Sequence, residues 1–80
     1  MQQEIYEQVA QFISETNDIP LEQIHIDATF EELGMDSLDG ISLIDNLEAH
    51  YNISIPNQQV MKIRSVRLAV ESLEKMLVTQ

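Results

Sequence analysis

Ser37 is the side chain whose type and setting point most directly to chemistry, standing among acids in Gly34-Met35-Asp36-Ser37-Leu38-Asp39-Gly40. A catalytic serine needs a base, a group to orient that base, and an oxyanion hole. The spacing here is Gly-x-x-Ser-x-x-Gly, not the Gly-x-Ser-x-Gly of a nucleophile elbow. His25 and His50 are the only imidazoles. His50 falls at the far end of the helix that Ser37 opens, about 20 Å along its axis; His25 lies in a loop and stays open as a base. A chain of 80 residues also leaves little room for a substrate pocket. Asp36, Asp39, Gly40 and Asp45 invite comparison with a calcium loop. Placing Gly40 sixth puts Met35 first and Asn46 twelfth, and neither supplies the required carboxylate. No metal site is expected.

A third chemistry suits Ser37 better, that of an attachment point. A hydroxyl in the first turn of a helix projects outward within reach of a modifying enzyme. A phosphodiester built there would sit beside unpaired N–H groups and the positive end of the helix dipole.

The elements that must position Ser37 are helical. Ile5, Val9, Phe12 and Ile13 make one apolar stripe of a first helix, about Gln3 to Thr16, which Asn17-Asp18-Ile19-Pro20 ends. Residues 17–35 form a long connection, with a helical turn over Leu21–Ile24 and Ile24, Ile26, Phe30 and Leu33 as anchors. Gly34 permits a tight turn. The second helix runs from about Ser37 to His50, with Asp36 as N-cap and Asp39 adding charge to the first turn. Ile41, Ile44, Leu47 and Tyr51 are its inner stripe, with Leu43 at the edge. Gly40 weakens this helix by up to about 1 kcal/mol relative to Ala, which is either a tolerated accident or a mark of something approaching the backbone. Pro56 precedes a short third helix, Asn57 to Met61. Ser65 caps the last one, whose stripe is Val66, Ala69, Val70, Leu73 and Leu77. The expected fold is all-α, a small bundle of three longer helices plus one short helix, with a long loop between the first two. Residues 1–80 read as a single domain.

Composition narrows the partners. Residues 1–48 carry twelve acids and no Lys or Arg; residues 49–80 carry Glu71 and Glu74 against Lys62, Arg64, Arg67 and Lys75. A net charge of −10 argues against nucleic acid and for proteins with basic patches. No apolar run is long enough for membrane insertion, and the N-terminus has no features of a signal or transit peptide. The expected location is cytoplasmic. With no Cys, any thiol this protein uses must be imported.

The stretch Phe30-Glu31-Glu32-Leu33-Gly34-Met35-Asp36-Ser37-Leu38-Asp39 resembles the modification site of acyl carrier proteins, in which Asp-Ser-Leu follows Phe-x-x-Leu-Gly. Leu47-Glu48, Tyr51-Asn52-Ile53-Ser54-Ile55-Pro56 and Ser65-Val66 continue the likeness over nearly the whole chain. The resemblance implies a non-catalytic carrier. A phosphopantetheinyl transferase, using magnesium, would place 4′-phosphopantetheine from coenzyme A on Ser37, with Asp36 helping to dock it. Acyl cargo would then ride as a thioester. It also implies that fatty-acid, polyketide or related enzymes (acyl-loading, ketosynthase-type or acyltransferase) read the second helix through Leu38, Asp39, Ser42, Asp45 and Glu48. Ile44, Leu47, Ile55, Ile63, Ala69 and Leu73 would be the walls of a cargo pocket. Met-Asp-Ser-Leu is more like acyl carriers than aminoacyl or peptidyl carriers, which remain an alternative. So does an acidic helical adaptor without a prosthetic group.

Several positions depart from the family pattern. Ser42 stands where an acid is common, Asp45 where an apolar residue is common, and Asn57-Gln58-Gln59-Val60 where acids usually follow the proline. Lys62, Arg64 and Arg67 make the final third unusually basic. These changes point to a specialised carrier, and the Met1 start and short length to a free-standing monomer.

Overall fold

In the computed structural model, which describes residues 2–78, four α-helices and one 3-10 turn follow one another along the chain. They are α1 (Gln2–Asn17), the turn Leu21–Gln23, α2 (Ser37–Tyr51), α3 (Asn57–Val60) and α4 (Val66–Val78). The elements match the expected ones to within about one residue at each end.

The helix ends are set by particular residues. Asp18 adopts a left-handed conformation (φ 58°) and turns the chain out of α1 before Pro20 is reached. Asn52, also left-handed at φ 57°, closes α2, its N–H donating to the Glu48 carbonyl. Asn is among the few residues that take this conformation at small cost. Ser65 caps α4 as its position predicts, Oγ accepting from the Leu68 N–H at 3.1 Å.

α1 packs along both α4 and α2. Ile5, Val9, Ala10 and Ile13 of α1 meet Leu43, Ile44 and Leu47 of α2 and Val66, Ala69, Val70 and Leu73 of α4 in one core. Ile24, Phe30, Met35, Ile55 and Ile63 plug it from the connections. Three expectations need correcting. Ile41, placed on the inner stripe of α2, is 44% exposed, while Leu43, placed at the edge, is 1% exposed. At 100° per residue Leu43 lies about 40° around the helix from Leu47, and Ile41 about 120° from it. In α1, Phe12 is only partly buried; its ring meets His50 edge-on at 5.6 Å, and Ala10 takes the place in the core.

The long connection is tied down at several points. The Tyr6 hydroxyl donates to the Ile24 carbonyl at 2.7 Å. Further on, Thr29 and Ser65 form an isolated antiparallel bridge: Phe30 N–H donates to Arg64 O (2.9 Å) and Val66 N–H to Ala28 O (3.0 Å). Arg67 adds an ion pair with Asp27, Nη2 to Oδ1 at 2.7 Å. The segment leading to Ser37 is thereby fastened to the start of α4.

Candidate functional site

From Thr29 to Met35 the chain curls into consecutive turns. Thr29 N–H and Oγ1 both donate to Glu32 Oε1 (2.9 and 3.0 Å), and Glu32 N–H donates back to Thr29 Oγ1 at 3.1 Å. These bonds, the backbone one first, hold the Glu32 carboxyl below its ordinary value. Leu33 and Met35 N–H groups both donate to the Phe30 carbonyl, at 3.1 and 2.9 Å. Gly34, at φ 79°, makes the reversal that only glycine takes without strain. Met35 then points into the core, 6% exposed.

Immediately after this buried anchor the chain enters α2. Asp36 Oδ1 accepts from the Asp39 N–H at 2.9 Å, and Asp39 Oδ2 accepts from the Asp36 N–H at 3.2 Å. This reciprocal pair is a capping box. Ser37 is therefore the first residue of a well-capped helix, with its side chain exposed. Among the described residues no base is hydrogen-bonded to its hydroxyl. His50 is occupied at the other end of α2, edge-on to Phe12 and Tyr51. The serine is presented to solvent without a base, as an attachment point requires and a nucleophile does not.

Beside it runs a groove of about 690 Å³. Ser37, Gly40 and Ile41 of α2 line it with Thr29, Phe30, Glu31, Met35 and Asp36 from the preceding segment and Val60, Met61, Ile63 and Arg64 from the segment before α4. Gly40 faces the Phe30 ring here: a Cβ added to it would lie 3.4 Å from that ring, in ordinary contact, so the glycine leaves room for Phe30 without being required by it.

The residues expected to face partners divide into two groups. Leu38 (72% exposed), Ser42 and Asp45 point outward along one face of α2. Asp39 and Glu48 are only partly exposed and are used internally. Asp39 closes the capping box, and Glu48 Oε2 accepts from the Ile55 N–H at 2.6 Å. The six residues named as cargo walls lie in the packed core, and Ile63 alone among them also lines the groove. Met35, Val60, Met61 and Arg64 were not anticipated beside Ser37. Met35 could have been found as an apolar residue abutting a cap, but the others arrive through the Thr29–Ser65 bridge, which has no local signal.

The exposed serine thus stands at a capped helix start, fed by a tethered loop, in a small helical bundle. A family model described as the phosphopantetheine attachment site matches residues 7–73. Among curated relatives, the acyl carrier protein of Buchnera aphidicola is 38% identical over 72 residues, covering 89% of this chain and 90% of its own. That of Cyanidium caldarium is 40% identical over 70 residues, covering 86% and 81%. The crystal structure of an acyl carrier protein from Thermotoga maritima superposes with a TM-score of 0.88 at 28% identity, over 98% of this chain and 92% of the other. The chain belongs to the acyl carrier protein family. Its role is to carry acyl groups on covalently attached 4′-phosphopantetheine for biosynthetic enzymes, and it is not itself a catalyst. No helix among the described residues is long and apolar enough to cross a membrane.

Proposed function

We propose that Ser37 is the attachment point of the 4′-phosphopantetheine arm. The observation that carries this reading is the exposed, base-free hydroxyl at the first residue of α2, held in place by the Asp36–Asp39 box. In loading, Ser37 Oγ bonds to the phosphorus that carries pantetheine in coenzyme A. Adenosine 3′,5′-bisphosphate leaves, and the hydroxyl proton passes to a base on the transferase. The new phosphodiester lies by the first N–H groups of α2, where negative charge is favoured. When bound, the arm supplies the thiol that this Cys-free chain lacks. Asp36 serves the transferase as a docking charge in addition to capping the helix.

Partner enzymes, among them acyl-loading, ketosynthase-type and acyltransferase activities, read the outward face of α2. Leu38 gives an apolar contact, and Ser42 and Asp45 give the polar one. Asp39 and Glu48 contribute field rather than reaching arms, since both carboxylates already hold backbone N–H groups. The attraction is salt-screened and acts mainly on encounter rate. Shelter for a long acyl chain among Ile44, Leu47, Ile55, Ala69 and Leu73 requires the helices to part, because these side chains are packed in the core. The carrier works as a cytoplasmic monomer of one domain. Ser42, Asp45 and the basic Lys62–Arg67 segment support dedication to one pathway rather than general fatty-acid synthesis.

The test is the intact mass after incubation with coenzyme A, magnesium and a broad-specificity phosphopantetheinyl transferase. A gain of one phosphopantetheinyl group, lost in Ser37→Ala, is the expected result. A folded protein that gains nothing with several such transferases overturns the assignment of Ser37.

A further inference from the structure

Arginine is scarce in this chain, which sets 14 acids against 4 basic residues. In such surroundings an Arg normally finds a carboxylate, as Arg67 does with Asp27. Arg64 does not. Its Nε donates only to the Met61 carbonyl, at a long 3.5 Å, and no carboxylate among the described residues lies within ion-pair distance. Glu31 and Asp36 line the same groove, yet neither pairs with it. The backbone of Arg64 is nevertheless fixed, its carbonyl held by Phe30 N–H and its neighbour Ser65 bridged to Thr29. The loop that delivers Ser37 and the residue that delivers a guanidinium are thus fastened to each other.

Apart from Thr29, Glu31, Asp36 and Ser37, the rest of the groove lining is apolar. Phe30, Met35, Ile41, Val60, Met61 and Ile63 line it, with Met61 71% exposed. Ser37 belongs to the lining, and Arg64 is its only cation, beside the carboxylates of Glu31 and Asp36. A neutral alkyl chain gains nothing from a guanidinium, whereas an apolar chain bearing an anionic group gains at both places.

Resting on Ser37 as the attachment point, we propose that Arg64 is an anion-binding residue of this groove and holds a negative group carried on Ser37. Two sources share that chemistry: the arm's own phosphodiester, and a carboxylate on the cargo, as in a dicarboxylic half-thioester. The contact is a solvent-accessible one, so its effect is a modest bias in where the loaded arm rests rather than tight capture.

The experiment uses holo-protein loaded through a hydrolysis-resistant amide with a succinyl group, ¹³C-labelled at its free carboxyl, or with a neutral butyryl group. Wild type and Arg64→Gln are compared, with Arg64→Lys as the charge-preserving control. If cargo is the source, the labelled carboxyl dissociates about two- to fivefold more readily in wild type than in Arg64→Gln. If the phosphodiester is the source, the ³¹P signal of unloaded holo-protein moves on Arg64→Gln and less on Arg64→Lys. Either result supports the proposal and identifies the ligand. An unchanged carboxyl titration together with an unchanged ³¹P signal, in a variant with unaltered thermal melting, overturns it. Failure of the attachment reading looks different: no mass gain and no phosphodiester signal in any variant, which removes both proposals together.

Discussion

Asp36 and Asp39 hold each other's backbone N–H groups across the first turn of α2, at 2.9 and 3.2 Å, with Ser37 and Leu38 between them. The conformation of Ser37 is therefore set by the acids on either side of it. In an acidic segment these two carboxylates would otherwise only repel one another; each instead faces an N–H that α2 leaves without a helical partner.

Capping by Asp36 and its proposed docking role can be separated by substitution. Asn caps a helix about as well as Asp, so Asp36→Asn should leave the melting temperature nearly unchanged, while Asp36→Ala should cost about 1 kcal/mol. If the charge docks the transferase, both variants load slowly. If Asp36 only caps, Asp36→Asn loads at the wild-type rate. Parallel thermal melts and mass-detected loading time courses decide between them.

Glu48 offers a similar separation at the other end of α2. Its carboxylate takes the Ile55 N–H at 2.6 Å in a partly buried setting, joining the helix to the connection before α3. Glu48→Ala leaves that N–H without its acceptor and should cost on the order of 1–2 kcal/mol in denaturant unfolding. Glu48→Gln keeps an acceptor and should retain most of this. Asp45→Asn, on the exposed face, should leave stability unchanged and slow partner association at low salt only.

Acid sensitivity should include a contribution from Glu32. The Thr29 hydrogen bonds lower its folded pKa below the ordinary 4.5, so the carboxylate form is favoured on folding. Stability from this group is present above pH 4.5 and is lost as pH falls through the lower folded value. Glu32→Gln should flatten the loss of stability in that acid window and leave the curve near neutrality with the same slope. Because the group is fully exposed, the effect is a change of slope over a narrow range, read from chemical denaturation at closely spaced pH values.

Much of this architecture is legible in the sequence because it is written locally. The 3.6-residue stripes, Asp36 and Ser65 as caps, Gly34 as a turn and the exposed Ser37 all depend on residues within one helical turn of each other. Ile41 and Leu43 were exchanged because both fit a loose apolar stripe, and only the positions of α1 and α4 decide which face is inward. The ties made by Glu48, Tyr6 and Thr29 span seven to several tens of residues and carry no periodic signal, so the groove beside Ser37, which the Thr29–Ser65 bridge helps to form, is visible only in three dimensions. Leu38 and Asp45 were legible as outward residues since they lie opposite Leu47 on the same helix.

Gly40 gives the sharpest test of how tightly that groove is built. A glycine inside α2 costs up to about 1 kcal/mol relative to Ala, and the space an added methyl would enter ends at the Phe30 ring, 3.4 Å away. That distance is ordinary contact, so Gly40→Ala should raise stability by a few tenths to about 1 kcal/mol, with loading of Ser37 unaffected. Gly40→Val cannot fit without displacing Phe30, whose N–H holds Arg64 O and whose carbonyl holds Leu33 and Met35. It should therefore destabilise the protein, slow phosphopantetheine transfer and shift the amide resonances of residues 29–35 and 64 together. A Gly40→Val protein with wild-type melting, loading and loop resonances would mean that Phe30 moves freely, and that the loop before Ser37 is held by its turn hydrogen bonds rather than by this ring.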